Sequence, residues 1–266
     1  MDRFDRELQA ARRAVLAAGE SLLSWEDLPE EEWKGRIDPV SAADRQAEQA
    51  AISVLRDAFP DDLVVGEEST QLADEREVSG KRRWYLDPLD GTTNFLRGRP
   101  HWCVSLALVD SSDEAVCAAV LGPPTGDLFL AVRGGGATRG GERLGISRAR
   151  PLDRAVVGSG FPYSFDDPSR TNLREWAAVT VEALAVRCSG AAALDLCDVA
   201  RGRLDAFWEM ELAPWDTVAG ALIAREAGAL TTRLDGSEIR GAATEVLAAP
   251  SELHAEVLEV LYRARS

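Results

Sequence analysis

Residues 84–95 read Trp84-Tyr85-Leu86-Asp87-Pro88-Leu89-Asp90-Gly91-Thr92-Thr93-Asn94-Phe95, an apolar run that passes directly into two carboxylates around a proline and then a glycine. A regular strand turns alternate side chains to opposite faces, so Asp87 and Asp90, three positions apart, would diverge. Pro88 and Gly91 let the backbone turn. A turn lets both carboxylates reach one cation together with the Leu89 carbonyl, an all-oxygen set that suits magnesium or manganese. If the chain then enters a short helix, the N–H groups of Gly91 and Thr92 form a site for phosphate oxygens. The plainer alternative is an Asp-Pro turn closed by glycine, a common exit from a strand.

Two further acidic signals stand at element ends. Val64-Val65-Gly66-Glu67-Glu68-Ser69 puts Glu67 just past an apolar strand, and Trp215-Asp216 puts Asp216 at a helix start. The plainer reading of Asp216 is an ordinary N-cap, worth about 1 kcal/mol. Several carboxylates in one pocket repel one another and lose hydration, so such a cluster implies bound cations. Two-metal hydrolysis uses this arrangement: one ion acidifies a water and the other takes up charge on the leaving oxygen.

Around these motifs, apolar residues Phe4, Leu8, Ala11, Val15, Ala18 and Leu22 recur at helical spacing and predict a helix over 2–25. After a loop through Lys34-Gly35, Ser41 stands three residues before Asp44 in a capping-box spacing, and Ala47, Ala51, Leu55 and Phe59 line a second helix. Short β-rich runs follow at 63–66, 83–87, 103–110, 115–122 and 128–133. Beyond Pro151 the pattern alternates: a strand near Val156, helices over 169–186 and 191–200, a strand over 204–209, a helix over 216–227, a strand over 245–249 and a closing helix from Ser251. The predicted class is α+β to α/β in two lobes, residues 1–147 and 148–266, with a soft boundary near 145–152.

Composition narrows the functional classes. A chain of 266 residues, 45% hydrophobic and 28% charged, can bury a sizeable core. Its net charge of −15 argues against nucleic acid or anionic membranes as partners, so an anionic substrate needs local cations. Cys103, Cys117, Cys188 and Cys197 lack CxxC spacing and sit in apolar stretches, which predicts buried free thiols. Met1-Asp2-Arg3-Phe4-Asp5 lacks the basic region and apolar run of a secretion signal, and no 18-residue apolar window follows, so a cytoplasmic protein is expected.

The motifs resemble those of the inositol monophosphatase family, whose three signatures here read GEES, DPLDGTTNF and WDTVAG. The similarity extends through KGRIDPVSAAD, GSGFPY, SGAAALDLC and WEMELAPWD, and so covers nearly the whole chain. The resemblance implies a layered α-β-α-β-α sandwich of the sugar-phosphatase type, usually a homodimer. It also implies magnesium-dependent, lithium-sensitive hydrolysis of myo-inositol monophosphate to inositol and phosphate by in-line attack of metal-activated water. By position it sets Glu67, Asp87 and the Leu89 carbonyl at one metal and Asp87, Asp90 and Asp216 at a second, with Glu67 also at a third, weaker ion. Two or three Mg2+, or Mn2+, are then expected per site. Asp44 and Thr92 would orient or deprotonate the attacking water, with Glu67 also catalytic. Gly91 and Thr92 would hold phosphate, and Asp90, Gly190, Ala191, Ala192 and Glu209 would line the substrate pocket. Departures from the family pattern are Ala229, in place of a second glycine after the EAG, and Ser41, where threonine is common; neither falls on a proposed ligand.

Related branches act on histidinol phosphate, fructose 1,6-bisphosphate or 3'-phosphonucleotides with almost the same metal core, while Glu209 and the GTTNF form favour inositol phosphate. A haloacid-dehalogenase-type phosphatase spaces its aspartates i, i+2, whereas Asp87 and Asp90 stand i, i+3, which argues against an aspartyl phosphate. An EF-hand lacks its acidic loop positions here. A reading of a different class is a non-catalytic regulator that keeps the fold and binds a protein. His101 and His254 fall in no motif and read as packing or surface residues.

Overall fold

The computed structural model describes residues 4–25, 32–33, 39–68, 80–162, 171–241 and 243–265. The Lys34-Gly35 loop, most of KGRIDP, Ser69, Tyr163 and the expected helix start at Ser169 lie outside the described residues.

Helix α1 (Asp5–Leu23) buries Ala10, Ala11, Ala14, Val15, Ala18 and Leu22 on one stripe. Two antiparallel strands of two residues each, β1 (Glu32–Trp33) and β2 (Pro39–Val40), precede α2 (Ala42–Ala58), which opens on the expected capping box: Ser41 N donates to Asp44 and the Ser41 hydroxyl accepts from Ala43 N. Ala43, Ala47, Ala51 and Leu55 face α1, and the small side chains let the two helices approach closely. Both pack on one face of a seven-stranded sheet of β3 (Leu63–Gly66), β4 (Arg83–Asp90), β5 (Cys103–Val109), β6 (Ala115–Gly122), β7 (Asp127–Val132), β8 (Gly136–Arg139) and β9 (Glu142–Arg143), in that spatial order. The β3–β4 pair is parallel and the others antiparallel. A five-residue helix, α3 (Thr92–Leu96), sits between β4 and β5.

The second sheet has the order β11-β10-β12-β14-β13, from β10 (Val156–Ser159), β11 (Ala185–Arg187), β12 (Ala206–Met210), β13 (Leu230–Thr232) and β14 (Glu245–Ala249). Its outer face carries α4 (Leu173–Glu182) and α7 (Ser251–Arg265), while α5 (Ala192–Ala200) and α6 (Pro214–Glu226) lie between the two sheets. Val218, Ala219, Leu222 and Ile223 of α6 pack on first-sheet residues such as Val120 and Phe129, and Ala221 and Ala224 pack with Phe207 and Val246 of the second sheet. An α6 apolar on both sides is what a helix buried all round requires. The layers run α-β-α-β-α, as the resemblance implies.

Several elements differ from the sequence expectation. The helix expected over 169–186 ends at Glu182, and Ala185–Arg187 is a parallel edge strand, because pairing with β10 claims backbone groups that a helix would satisfy internally. Strand β4 continues to Asp90 instead of stopping at Asp87. Helix α6 begins at Pro214, a residue suited to the first helical turn, two residues earlier than expected. The short strands β8, β9 and β13 escaped the pattern reading. All four cysteines are free thiols, but Cys188 is exposed whereas Cys103, Cys117 and Cys197 are buried. No helix of the described residues is long and apolar enough to cross a membrane.

The glycine of WDTVAG has a packing role. A Cβ at Gly220 would lie 2.7 Å from Leu196 Cβ and 3.0 Å from the Ala193 carbonyl oxygen, so α5 and α6 touch almost backbone to backbone there. Alanine has the better helix propensity by about 1 kcal/mol. Gly220→Ala is nevertheless expected to lower stability by about 1–3 kcal/mol, because overpacking outweighs propensity. Urea unfolding measures this, and a variant as stable as the parent would refute the close-contact account.

Candidate active site

Strand β4 delivers its two aspartates through a bulge, not through a turn at Pro88. Asp87 pairs with Ser105 and Asp90 with Cys103, so three steps along β4 oppose two along β5. The extra residue resets the side-chain alternation and removes the divergence expected of a regular strand. Leu89 N donates to Asp87 Oδ1 at 2.8 Å within the bulge. Gly91, at φ +93°, then caps α3, and a Cβ there would crowd the carbonyls of Gly190 and His101 at 3.1 Å. The short helix expected after Gly91 is present, and its first N–H groups have no partners within the helix.

The other acids arrive from neighbouring elements. Glu67 N pairs with the Leu86 carbonyl at 3.1 Å, which extends β3 alongside the start of the bulge. The Ser105 hydroxyl, opposite Asp87 across the ladder, donates to the Trp215 carbonyl at 2.8 Å and so docks the start of α6. Asp216 is the third residue of that helix, and its Oδ2 accepts from Ala213 N at 2.7 Å. The capping role is therefore real, but Asp216 also acts on Asp87.

Electrostatics tie the group together. Burial pushes Asp87 well above the usual carboxylate range, and the charges of Glu67, Asp90 and Asp216 add to the push. Asp90 is pushed up to about 6, chiefly by burial and partly by Asp195, against hydrogen bonds from Ala193 N and the Cys103 thiol. Burial also raises Asp44 despite its hydrogen bonds from Ser41 and Thr92. Glu209, buried at the end of β12, is raised by burial and then by Asp195, Asp216 and Asp90. Its burial sets it apart from a solvated surface glutamate.

Among the described residues, however, no three His, Cys, Asp or Glu side chains stand close enough to share a metal ion. The two observations agree, since charges shielded from water act on one another beyond contact distance. Asp87, Asp90 and Asp216 each turn one oxygen to a backbone N–H. The donor set of Glu67, Asp87, Asp90 and Asp216 with the Leu89 carbonyl is all hard oxygen and carries excess negative charge, which fits a divalent cation such as magnesium.

Thr92 and Asp44 meet as expected. The Thr92 hydroxyl lies 3.0 Å from Asp44 Oδ1 and 3.1 Å from the Leu89 carbonyl oxygen, and Ser41 N and the Ser41 hydroxyl donate to Asp44 Oδ2. Gly190, at φ +86°, Ala191 and Ala192 lead into α5 beside Asp90, whose Oδ2 accepts from Ala193 N at 2.8 Å.

The chain matches the inositol monophosphatase family profile over residues 2–266. It belongs to the inositol monophosphatase family. It is 38% identical to an inositol-1-monophosphatase from Synechocystis over 96% of this chain and 88% of that protein. It is 37% identical to the Nus factor SuhB of Vibrio cholerae over 86% of this chain and 84% of that protein. The solved inositol monophosphatase from Anabaena superposes with a TM-score of 0.86 at 32% identity, covering 97% of this chain and 95% of that one. Family membership makes the chain a phosphoric monoester hydrolase.

Several residues of this inositol monophosphatase homologue carried no motif signal. Glu48, one turn after Asp44, is buried, and its carboxylate accepts from Glu68 N at 2.8 Å, holding the backbone just past Glu67. A Cβ at Gly66 would collide with it, so the GEES glycine makes room for Glu48. Its i+4 spacing from Asp44 was the available sign. Cys103 donates its thiol to Asp90 Oδ2 at 3.6 Å and stays protonated, because burial and then the Asp90 charge raise it far above an ordinary thiol. His101 bonds Asp195, so it is more than a packing residue.

The raised acids fix the sign of a stability effect. A carboxylate whose folded pKa is raised binds more protons folded than unfolded, so its contribution to stability falls as pH climbs from its unfolded pKa of about 4 to its folded value. In metal-free protein, Asp87→Asn is therefore expected to melt higher than the parent at pH 8, with the gap narrowing toward pH 5. Calorimetry in chelator checks this, and a metal-free variant less stable at pH 8 would contradict like-charge crowding at Asp87.

Proposed function

We propose that the chain hydrolyses myo-inositol monophosphate to inositol and phosphate, using magnesium held by Glu67, Asp87, Asp90, Asp216 and the Leu89 carbonyl. The observation that carries this reading is the combined field of Glu67, Asp90 and Asp216 on the buried Asp87, beside a Thr92 hydroxyl bonded to Asp44. Two or three bound Mg2+, or Mn2+, would lower the pKa of a water and neutralise charge on the phosphate and leaving oxygen. Asp44, more basic than an exposed carboxylate because it is buried, draws the Thr92 proton toward Oδ1 and leaves the Thr92 oxygen ready to accept one from water. The N–H groups of Gly91 and Thr92 face phosphate oxygens at the start of α3. Glu209 accepts hydroxyl hydrogens of the polyol, and the Gly190–Ala192 turn, with side chains no larger than methyl, lets the ring approach.

The same core would serve histidinol phosphate, fructose 1,6-bisphosphate or a 3'-phosphonucleotide, and Glu209 is what favours the polyol. The resemblance further suggests lithium inhibition and a homodimer. Leu173, Val181 and Leu184 expose an apolar stripe along α4 and just beyond it, suited to a second copy. Free thiols are consistent with a cytoplasmic setting. The switch between sheets after Arg143 and before Val156 supports the lobe division near 145–152. A second reading, a regulator that binds a protein, draws on the relatives named Nus factor SuhB.

Phosphate release is expected to vanish in chelator and return with magnesium, and full activity in rigorously metal-free protein would overturn the metal assignment. Glu209→Ala is expected to cut kcat/KM on inositol 1-phosphate at least tenfold more than on p-nitrophenyl phosphate, as a charge-assisted hydrogen bond is worth about 1.5–3 kcal/mol. Equal losses on both substrates would assign Glu209 to support of the site.

A further inference from the structure

Behind the reacting groups, two segments almost a hundred residues apart in sequence are stitched together. Asn94, buried in α3, directs Nδ2 at three carbonyl oxygens, those of His101 at 2.6 Å, Ser189 at 2.9 Å and Gly190 at 3.4 Å. His101 Nε2 lies 2.9 Å from Oδ1 of Asp195, a buried acid in the first turn of α5 whose carboxylate is also bonded by the Ser189 side chain. Ala193 N in the same turn donates to Asp90 at 2.8 Å. The close approach of the Gly91 and Gly190 turns leaves no room for a side chain at Gly91. The polar side chains of this seam are bonded to one another or to backbone, and none is needed for proton transfer at Thr92.

We propose that Asn94, His101 and Asp195 are positioning residues that fix the Gly190–Ala192 turn against Asp90, and thereby set the pocket for the polyol part of the substrate. The inference rests on the phosphatase reading above. Its physical basis is that Asp90 ends a strand of the first sheet, whereas the turn leads from β11 of the second sheet into α5, so their register is set across the chain by these hydrogen bonds and by the packing of α5, and not by local connectivity. A pocket wall displaced by a fraction of an ångström weakens polyol binding while the cluster built on β4 keeps its geometry. An aryl phosphate, which does not use that wall, is insensitive to the displacement.

The test is steady-state kinetics of the full chain with magnesium, on inositol 1-phosphate and p-nitrophenyl phosphate, for His101→Ala, Asp195→Ala, their double variant and Asp195→Asn. Asp195→Ala is expected to raise KM for inositol 1-phosphate about tenfold, the scale seen when supporting hydrogen bonds are lost, with kcat changed less than about threefold. The double variant should be no worse than the weaker single, because the pair acts as a unit. Asp195→Asn, which keeps an oxygen for His101, should restore KM to within about threefold of the parent and serves as the readout if the alanine variant folds poorly. Unchanged KM values, or equal losses on both substrates, would overturn the positioning role while leaving the phosphatase reading intact. A parent protein that cleaves neither substrate would instead overturn the phosphatase reading and this inference with it.

Discussion

Burial of like charge is the constraint on which the rest of this protein depends. Glu67, Asp90 and Asp216 act on the buried Asp87, with Asp90 buried beside it and Glu67 and Asp216 half-buried, and the fold keeps them there by covalent and packing forces that repulsion cannot undo. Each carboxylate is bound to rigid backbone: Asp87 and Asp90 to a bulged central strand, Glu67 to the end of its parallel neighbour, Asp216 to the first turn of the helix between the sheets. Backbone N–H groups of Leu89, Ala193 and Ala213 take up part of the charge. What remains is a concentration of negative charge, with stability given up locally and recovered in apolar cores elsewhere.

The layered architecture explains how elements so distant in sequence reach one point. Helix α6 is apolar on both sides, so it is driven between the sheets, and the absence of a side chain at Gly220 lets α5 lie directly against it. The N-terminal turns of both helices then open toward the bulge of β4. Ser105 completes the register by linking the strand opposite Asp87 to the Trp215 carbonyl, so a single cross-strand pair sets where Asp216 stands.

Helix α2 serves the site from the opposite layer. Its capping box aims Asp44 at Thr92 while satisfying Ser41, and one turn later Glu48 secures the Glu68 amide. The same alanine face that packs on α1 therefore fixes the depth at which two buried acids enter the site. Capping, packing and the placement of Asp44 beside Thr92 are three consequences of one helical period.

Local patterns in the sequence were enough to locate the motif loops, the strands 63–66 and 115–122 to the residue, the amphipathic helices and the capping box at Ser41, because each depends on residues within a few positions of one another. They were also enough to single out Glu67, Asp87, Asp90 and Asp216 as acids at element ends. The bulge in β4, the pairing of Cys103 with Asp90, the Glu48 contact and the His101–Asp195 bond were decided only by tertiary structure. Each joins residues whose separation in sequence carries no periodic trace, and Cys103 and Glu48 occupy positions that a simple apolar strand or a solvated helix would also allow. The strand at Ala185–Arg187 shows the same limit: its residues suit a helix, and only a hydrogen-bonding neighbour in β10 makes them a strand.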